Sequence, residues 1–458
     1  MPSEKHVAVC AFPFGSHPWV LANLVGKLAA AAADVRFSFL STAKSNSAVF
    51  PPPSRAALIP PNLRVYDIGD GLPAGYREGT GDPRDPADLF LRAASASFQA
   101  GVDAAEREAG RKVSLLLTDG LLTVVACEIA EKMHVPWVAF WGSAPHSLSM
   151  HVYADQIHQL SRNATGEEKT LDMIPGLSLM RMVDLPEELV MDPDTSTICR
   201  MFRELGNVIP RAAAVVMNSF AEMDPEPLTA DLKSKFNILL HLGMLTLALS
   251  SPPSLPSSDE TGCLTWLDSR GPQTVVYISF GSGPLSSPPP DEITSLAEAL
   301  ESTGTPFLWS LNDRLRARCL PGGFEERTSG QGRIVPWAPQ REVLGHPACG
   351  AFVTHCGYNS VFESMAAGVP MIGRPVAVDQ RICGKMVEEV WGVGALVEGG
   401  ALTRGGMVKA LEAVLRSEEG KAMREKVGEL RRRLVEVAGP GGRAEADFKA
   451  LVELISTL

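Results

Sequence analysis

The sequence predicts an α/β protein made of two tandem domains, each built on a parallel sheet. Three observations carry that prediction. Strand-like apolar runs alternate with helical spacings in the first half, the alternation recurs in the second half, and the proline- and serine-rich stretch "LSSPPSLPSSDETG" over 249–262 separates the two. Alternation favours parallel sheets, because a parallel pair needs a crossover long enough to hold a helix. At 458 residues the chain also exceeds what one ordinary core accommodates. The expected domains are 1–248 and 263–438, with 249–262 as linker and 439–458 as a final helical segment packing back on the first domain. Two such domains in tandem are expected to form a cleft.

The first strand is expected at Val7–Ala11. It breaks at Pro13 to Gly15 and gives way to helical spacing, with Leu21, Leu24, Val25 and Leu28 on one stripe. Ser16 suits the N-cap of that helix, and Pro18 suits its first position, where a missing N–H costs nothing. Further strands are expected at Val35–Leu40, Ser114–Thr118 and Val135–Phe140, with a helix over Asp119–Met133. The second half reads as strands at Thr274–Phe280, Pro306–Leu311, Gly350–His355 and Val369–Gly373. Glu418–Val437 and Arg443–Leu458 read as charged helices.

A hydrophobic content of 45% with 21% charged residues is an ordinary globular composition. A net charge of -11 and a pI near 5.4 argue against nucleic acid as a partner, since phosphate binding wants a basic face. No apolar run reaches membrane-spanning length and no cleavage site follows the first strand, so a cytoplasmic protein without membrane contact is expected, a monomer by default. Eight cysteines without C-x-x-C pairs fit reduced, buried thiols better than a disulfide framework. The sequon Asn163-Ala164-Thr165 is then without consequence.

His17 follows the strand "VAVCAF" as Asp119 closes the strand "SLLLTD", so both side chains are candidates for one edge of one sheet, where open α/β sheets place ligands. A carboxylate beside an imidazole orients it and stabilises its protonated form, which makes a usable general base. The plainer alternatives are a solvated turn histidine and an aspartate that only caps the next helix.

The stretch "WAPQREVLGHPACGAFVTHCGYNSVFESMAAGVPMIGRPVAVDQ", Trp337 to Gln380, carries a stronger signal. A strand ends at His355, Gly357 permits a tight turn, and a helix starts near Asn359 and Ser360, so its N-terminal N–H groups face the turn as an anion site requires. His355 can add a donor. Gly368 and Pro370 supply the C′ glycine and following proline that end the helix. Glu363 lies three residues after Ser360, the spacing of a capping box, yet it also lies one turn into the helix, where its carboxylate can take both ribose hydroxyls. Trp337 reads either as packing or as a flat face for a base. The turn "FGSG" can present Ser282 and backbone N–H groups to the same phosphates.

Trp337–Gln380 resembles the signature box of the plant family of UDP-sugar-dependent glycosyltransferases, with W-A-P-Q, H-C-G-x-N-S, E-S and D-Q in register. The resemblance runs the whole chain, through "CLTWLD", "VVYISFGS" and "GFEERT", and "AFPFGSH", "SFLSTAKSN", "LFLRAA", "HVYADQI" and "IPGLS" resemble the flavonoid 3-O branch. It implies a GT-B architecture: two facing Rossmann-like domains, acceptor mainly in the first, nucleotide sugar mainly in the second, no metal, and no cofactor beyond the UDP-sugar co-substrate. It implies His17 as general base with Asp119 behind it. Trp337 would stack the uracil, with Ala338 meeting it through the backbone, while Gln340 and Glu363 hold the ribose. Ser282, His355, Asn359 and Ser360 would hold the diphosphate at the Gly357 turn, and Asp379 and Gln380 the sugar hydroxyls. The transfer inverts, and the expected acceptor is a flavonol-type phenol.

The chain departs from the family pattern at the sugar and acceptor pockets. Tyr358 stands for the usual tryptophan, Val376-Ala377-Val378 for an aromatic pair, and Gly142-Ser143 for the threonine segment that faces the sugar 6-hydroxyl in relatives. A donor lacking that hydroxyl, UDP-rhamnose, is one implication, since an unpaired polar group facing a methyl costs affinity; Gln380, which in relatives goes with glucose, is the counter-implication. His151 matches a histidine that contacts flavonoid hydroxyls in relatives, Leu121 stands where an aromatic residue is common, and loss of the aromatic pair around Ala377 widens the acceptor side. His146 reads as a further pocket residue or as a solvated loop histidine. Pro18 directly follows His17, where the family has its proline three positions on. Another phenolic acceptor stays open, as does a nucleotide-sugar binder without catalysis, although His17 and Asp119 both speak for catalysis. A dinucleotide oxidoreductase should show G-x-G-x-x-G after the first strand, and "FPFGSHPWVL" does not.

Overall fold

Val7, Val9, Leu21, Leu24, Val25 and Leu28 are fully buried in the computed structural model, so the strand face and helix stripe expected at the start of the chain meet in one core. The structure describes residues 5–50, 59–76, 82, 84–163, 169–245, 259, 261–281, 286–377 and 379–458. Most of the expected linker, Ser282, Val378, and Ala164 and Thr165 of the sequon lie outside the described residues. The chain divides into two units, Met1–Ser254 with Val437–Leu458, and Leu255–Glu436.

In the first unit the strands are β1 (His6–Cys10), β2 (Arg36–Thr42), β3 (Leu63–Ile68), β4 (Leu115–Asp119), β5 (Trp137–Trp141), β6 (Ala214–Met217) and β7 (Leu239–His241). They form one sheet in the order β3-β2-β1-β4-β5-β6-β7, and every pairing is parallel. The order reverses direction between β1 and β4, which are paired from Val7 opposite Leu115 to Cys10 opposite Thr118. That reversal opens a crevice beyond the carboxyl ends of the two strands. Phe37, Phe39, Leu117, Val138 and Phe140 fill the core, and Leu451 and Ile455 of the helix Arg443–Thr457 join it.

In the second unit the strands are β8 (Val275–Ser279), β9 (Phe307–Ser310), β10 (Gly332–Val335), β11 (Cys349–Thr354), β12 (Met371–Gly373) and β13 (Gly394–Leu396), parallel in the order β10-β9-β8-β11-β12-β13. The reversal falls between β8 and β11. Ile278, Leu296, Leu300, Trp309, Val353, Ile372, Met407 and Leu411 form this core.

Local chemistry departs from expectation in two places. Ser16 occupies the N-cap of the helix His17–Ala31, but its hydroxyl makes no capping bond, and Pro18 is the second helical residue rather than the first. The expected helix over Asp119–Met133 begins only at Thr123, because Gly120–Leu122 form a separate tight turn. All eight cysteines are free and buried. No helix among the described residues is long and apolar enough to cross a membrane.

Candidate active site

In the first unit, the crevice at the strand-order reversal holds His17 and Asp119. His17 opens the helix after β1, and Asp119 is the last residue of β4. Nδ1 of His17 lies 2.9 Å from Oδ2 of Asp119, whose side chain is almost wholly buried while that of His17 keeps about a quarter of its surface exposed (28% against 2%). A carboxylate only accepts, so Nδ1 carries the proton and Nε2 keeps its lone pair. The other oxygen, Oδ1, accepts the N–H of Leu121 at 3.0 Å. The capping role is therefore real, and it coexists with the pairing rather than replacing it.

Gly142 and Ser143 follow β5 and are half-buried, as is Leu121 after β4. The Gly142 carbonyl accepts from the Asn218 amide at 3.4 Å. His151 is buried on the helix Pro145–Val152, between the rings of Trp141 and Phe202, and its Nδ1 donates to the Phe202 carbonyl at 3.1 Å. Burial pushes its pKa down to about 4 against the pull of that hydrogen bond, so the ring stays neutral and Nε2 is an acceptor. His146 is no solvated loop residue. It is fully buried in the same helix, 3.7 Å from Asp224, with burial lowering its pKa to about 3.

In the second unit, His355 follows β11 and the helix Tyr358–Ala367 begins one residue after Gly357, its N-cap, slightly earlier than expected. The first backbone bond into this helix runs from the Val361 N–H to the Gly357 carbonyl at 3.0 Å, so the N–H groups of Tyr358, Asn359 and Ser360 have no acceptor within the helix. The His355 ring is clamped between two turns: a Cβ at Gly357 would stand 2.4 Å from its Nε2, and one at Gly281 2.8 Å. Burial lowers its pKa to about 4. His355 thus offers an anion a neutral N–H donor, and the helix end supplies the positive potential. Its Nδ1 is buried without a hydrogen-bond partner among the described residues.

Glu363 belongs to a side-chain network rather than a capping box, because the helix starts at Tyr358 and Ser360 is already its third residue. Nε2 of Gln340 donates to Oε2 of Glu363 at 2.7 Å and to Oγ of Ser360 at 3.0 Å. The Tyr277 hydroxyl donates to Oε1 of Gln340 at 3.3 Å. Burial raises the pKa of Glu363, opposed by the Gln340 amide. Trp337 is not core: it is 52% exposed, while the adjacent Ala338 is buried. Tyr358 is buried against Phe362. Asp379 is the N-cap of the helix Gln380–Lys385 without a side-chain capping bond. Gln380 is buried, and its Oε1 accepts the N–H groups of Val376 at 2.8 Å and Ala377 at 3.1 Å.

Sequence reasoning missed Tyr277, which orients Gln340, and Phe202, whose carbonyl fixes the His151 tautomer. Tyr277 carries no outward signal, being one apolar-run residue among others, and Phe202 acts through its backbone.

The chain is similar over its length to known proteins. A family model described as "UDP-glucoronosyl and UDP-glucosyl transferase" matches residues 112–431. An anthocyanidin 3-O-glucosyltransferase of Vitis vinifera is 45% identical over 457 residues, 99% of this chain and 98% of the relative. A myricetin 3-O-rhamnosyltransferase of Crocosmia x crocosmiiflora is 42% identical over 458 residues, again 99% and 98%. The crystal structure of a UDP-glucose: anthocyanidin 3-O-glucosyltransferase in complex with UDP superposes with a TM-score of 0.92 at 39% identity, covering 100% of both chains.

Proposed function

Because the chain belongs to the UDP-glucoronosyl and UDP-glucosyl transferase family, and so is a UDP-glycosyltransferase of GT-B architecture, we propose that it transfers a hexose to the 3-hydroxyl of a flavonol-type acceptor. The observation that carries this reading is the His17–Asp119 pair at the strand-order reversal of the first sheet. With Nδ1 held by the carboxylate, Nε2 is the atom that takes the proton from the acceptor hydroxyl. The oxygen so freed attacks the anomeric carbon from the side opposite the phosphate, the carbon–oxygen bond to phosphate breaks, and UDP leaves with the electron pair. The product is the inverted glycoside. Asp119 stabilises the imidazolium formed in that step, and the proton then passes from it to solvent.

In the second unit, the exposed face of Trp337 suits a uracil, and the Gln340–Glu363 pair suits the two ribose hydroxyls. The helix end at Gly357, with His355, Asn359 and Ser360, suits the diphosphate, while Asp379 and Gln380 suit the sugar. His151 Nε2 suits a phenolic O–H of the acceptor. In this reading the enzyme needs no metal or organic cofactor and works as a cytoplasmic monomer.

Two donor readings each rest on an observation. UDP-glucose is favoured by Gln380 and by the name of the Vitis vinifera relative, and UDP-rhamnose by Gly142, Tyr358 and Ala377 and by the name of the Crocosmia relative. A parallel turnover assay with one flavonol and each donor, reading product mass and UDP release, separates them. No glycoside from either donor with any flavonol would defeat the proposal itself.

A further inference from the structure

The end of β12 carries a buried ion pair that no part of the mechanism above uses. Arg374 and Glu292 are 9% and 7% exposed. The guanidinium meets the carboxylate as a fork, Nε donating to Oε2 at 2.8 Å and Nη2 to Oε1. Glu292 sits in the first turn of the helix Pro290–Thr303, and its Oε2 also accepts the Leu402 N–H at 2.8 Å, so both ends of the pair are tied to fixed backbone. Burial alone would raise the Glu292 pKa, yet the bonds from Arg374 and Leu402 outweigh it and hold the carboxylate ionised. The third nitrogen, Nη1, donates to the carbonyl of Pro375, and the Arg374 N–H donates to the Thr354 carbonyl at 2.8 Å. One side chain therefore fixes the backbone at the start of the segment that leads to Asp379 and Gln380.

That segment in turn decides what Gln380 can offer. Its carboxamide oxygen is filled by the N–H groups of Val376 and Ala377, so only the two N–H donors of Nε2 remain for a ligand. We propose that Arg374, held by Glu292, is a positioning residue for the donor sugar: it locks the backbone from Pro375 to Ala377 so that Gln380 faces the sugar as a donor only and selects a hydroxyl oxygen with a lone pair to accept. A lysine in its place can meet Glu292, but lacks the planar fork that reaches carboxylate and carbonyl together.

This rests on the reading that Asp379 and Gln380 bind the sugar. The test uses the full chain with Arg374→Lys and Glu292→Gln, measuring UDP affinity by calorimetry, and KM and kcat for donor and acceptor separately. The expected result is a fall of at least tenfold in kcat/KM for the UDP-sugar, with UDP affinity and acceptor KM within twofold of the parent, because UDP lacks the sugar. Unchanged donor kinetics, or a loss shared equally by UDP, would overturn the proposal. If either variant fails to fold, the paired replacement Arg374→Met with Glu292→Leu keeps the site filled without a lone buried charge and should show the same split. A parent that binds neither UDP nor UDP-sugar would instead overturn the reading of the site itself.

Discussion

Nδ1 of His17 and Oδ2 of Asp119 lie 2.9 Å apart although 102 positions separate them in the chain. The parallel pairing of β1 with β4 produces that distance, since it sets the ends of the two strands side by side. His17→Ala should therefore lower turnover by about 10²- to 10⁴-fold, the usual worth of a general base, with little change in melting temperature because the ring is partly exposed. Asp119→Asn should also cost at least about 10²-fold, because its amide would donate to Nδ1 and move the ring proton to Nε2. UDP-release assays beside thermal melts check both.

Trp337→Ala should weaken UDP binding by about 1–3 kcal/mol, roughly 5- to 150-fold in Kd, the worth of stacking one base on one aromatic ring. Since more than half of the side chain is exposed, stability should hold. Calorimetric titration with UDP measures the first and a thermal melt the second. Equal UDP affinity in parent and variant would remove Trp337 from the nucleotide site.

A methyl group at Gly206 would stand 1.8 Å from the His151 carbonyl oxygen, so the helix Thr197–Val208 would have to withdraw from the helix that holds His151. Gly206→Ala should cost about 1–3 kcal/mol in stability and raise the acceptor KM, because Phe202 on the same helix fixes the His151 ring. Gly405→Ala, with open space about the added carbon, is the control and should change neither.

Stability should rise with pH between about 4 and 6.5. Burial holds His146 near 3 and His151, His241 and His355 near 4, all below the 6.5 of an unfolded histidine, so in that window the unfolded chain binds more protons. Asp224 runs the other way. Burial, aided by Glu222, raises it from 3.8 to about 8, so its stabilising contribution is present below 3.8 and is lost as pH rises through 8. Five lowered histidines, His6 included, against the raised Asp224 and Glu363 predict a steep fall of the melting temperature under acid and a gentler decline above neutrality. Thermal melts from pH 4 to pH 9 test it, and a flat acid limb would contradict the buried-histidine account.

The strands that sequence patterning finds are those flanked on both sides within a sheet. β3, β7, β10 and β13 escape it, and each is the last strand at an edge. An edge strand is covered less, so its sequence need not be a continuous apolar run: "LRVYDI" of β3 alternates with exposed Arg64 and Asp67, and β7 and β13 are three residues long. β6 is interior and escapes as well, although the equally short β9 and the shorter β12 do not. At the site, the His17–Asp119 pair is legible because His17 opens the helix after one apolar strand and Asp119 closes another. The Ser360–Glu363 spacing misleads because it sits three residues inside the helix rather than at its start. Arg374 and Glu292 lie 82 positions apart, and nothing local marks them as partners.

The helix Arg443–Thr457 completes the sheet that His6–Cys10 begins. Asp447 accepts the N–H of His241 at 2.8 Å, Lys5 donates to the carbonyl of Thr457, and Leu451 and Ile455 fill the core beside Val7 and Val9. On the ribosome, the half that emerges first is thus the half that closes last. Until the helix Arg443–Thr457 is in place, the edge strand at His241 lacks its carboxylate cover and the first core lacks two of its side chains, whereas the second unit, contained within 255–436, has its whole sequence synthesised before that helix.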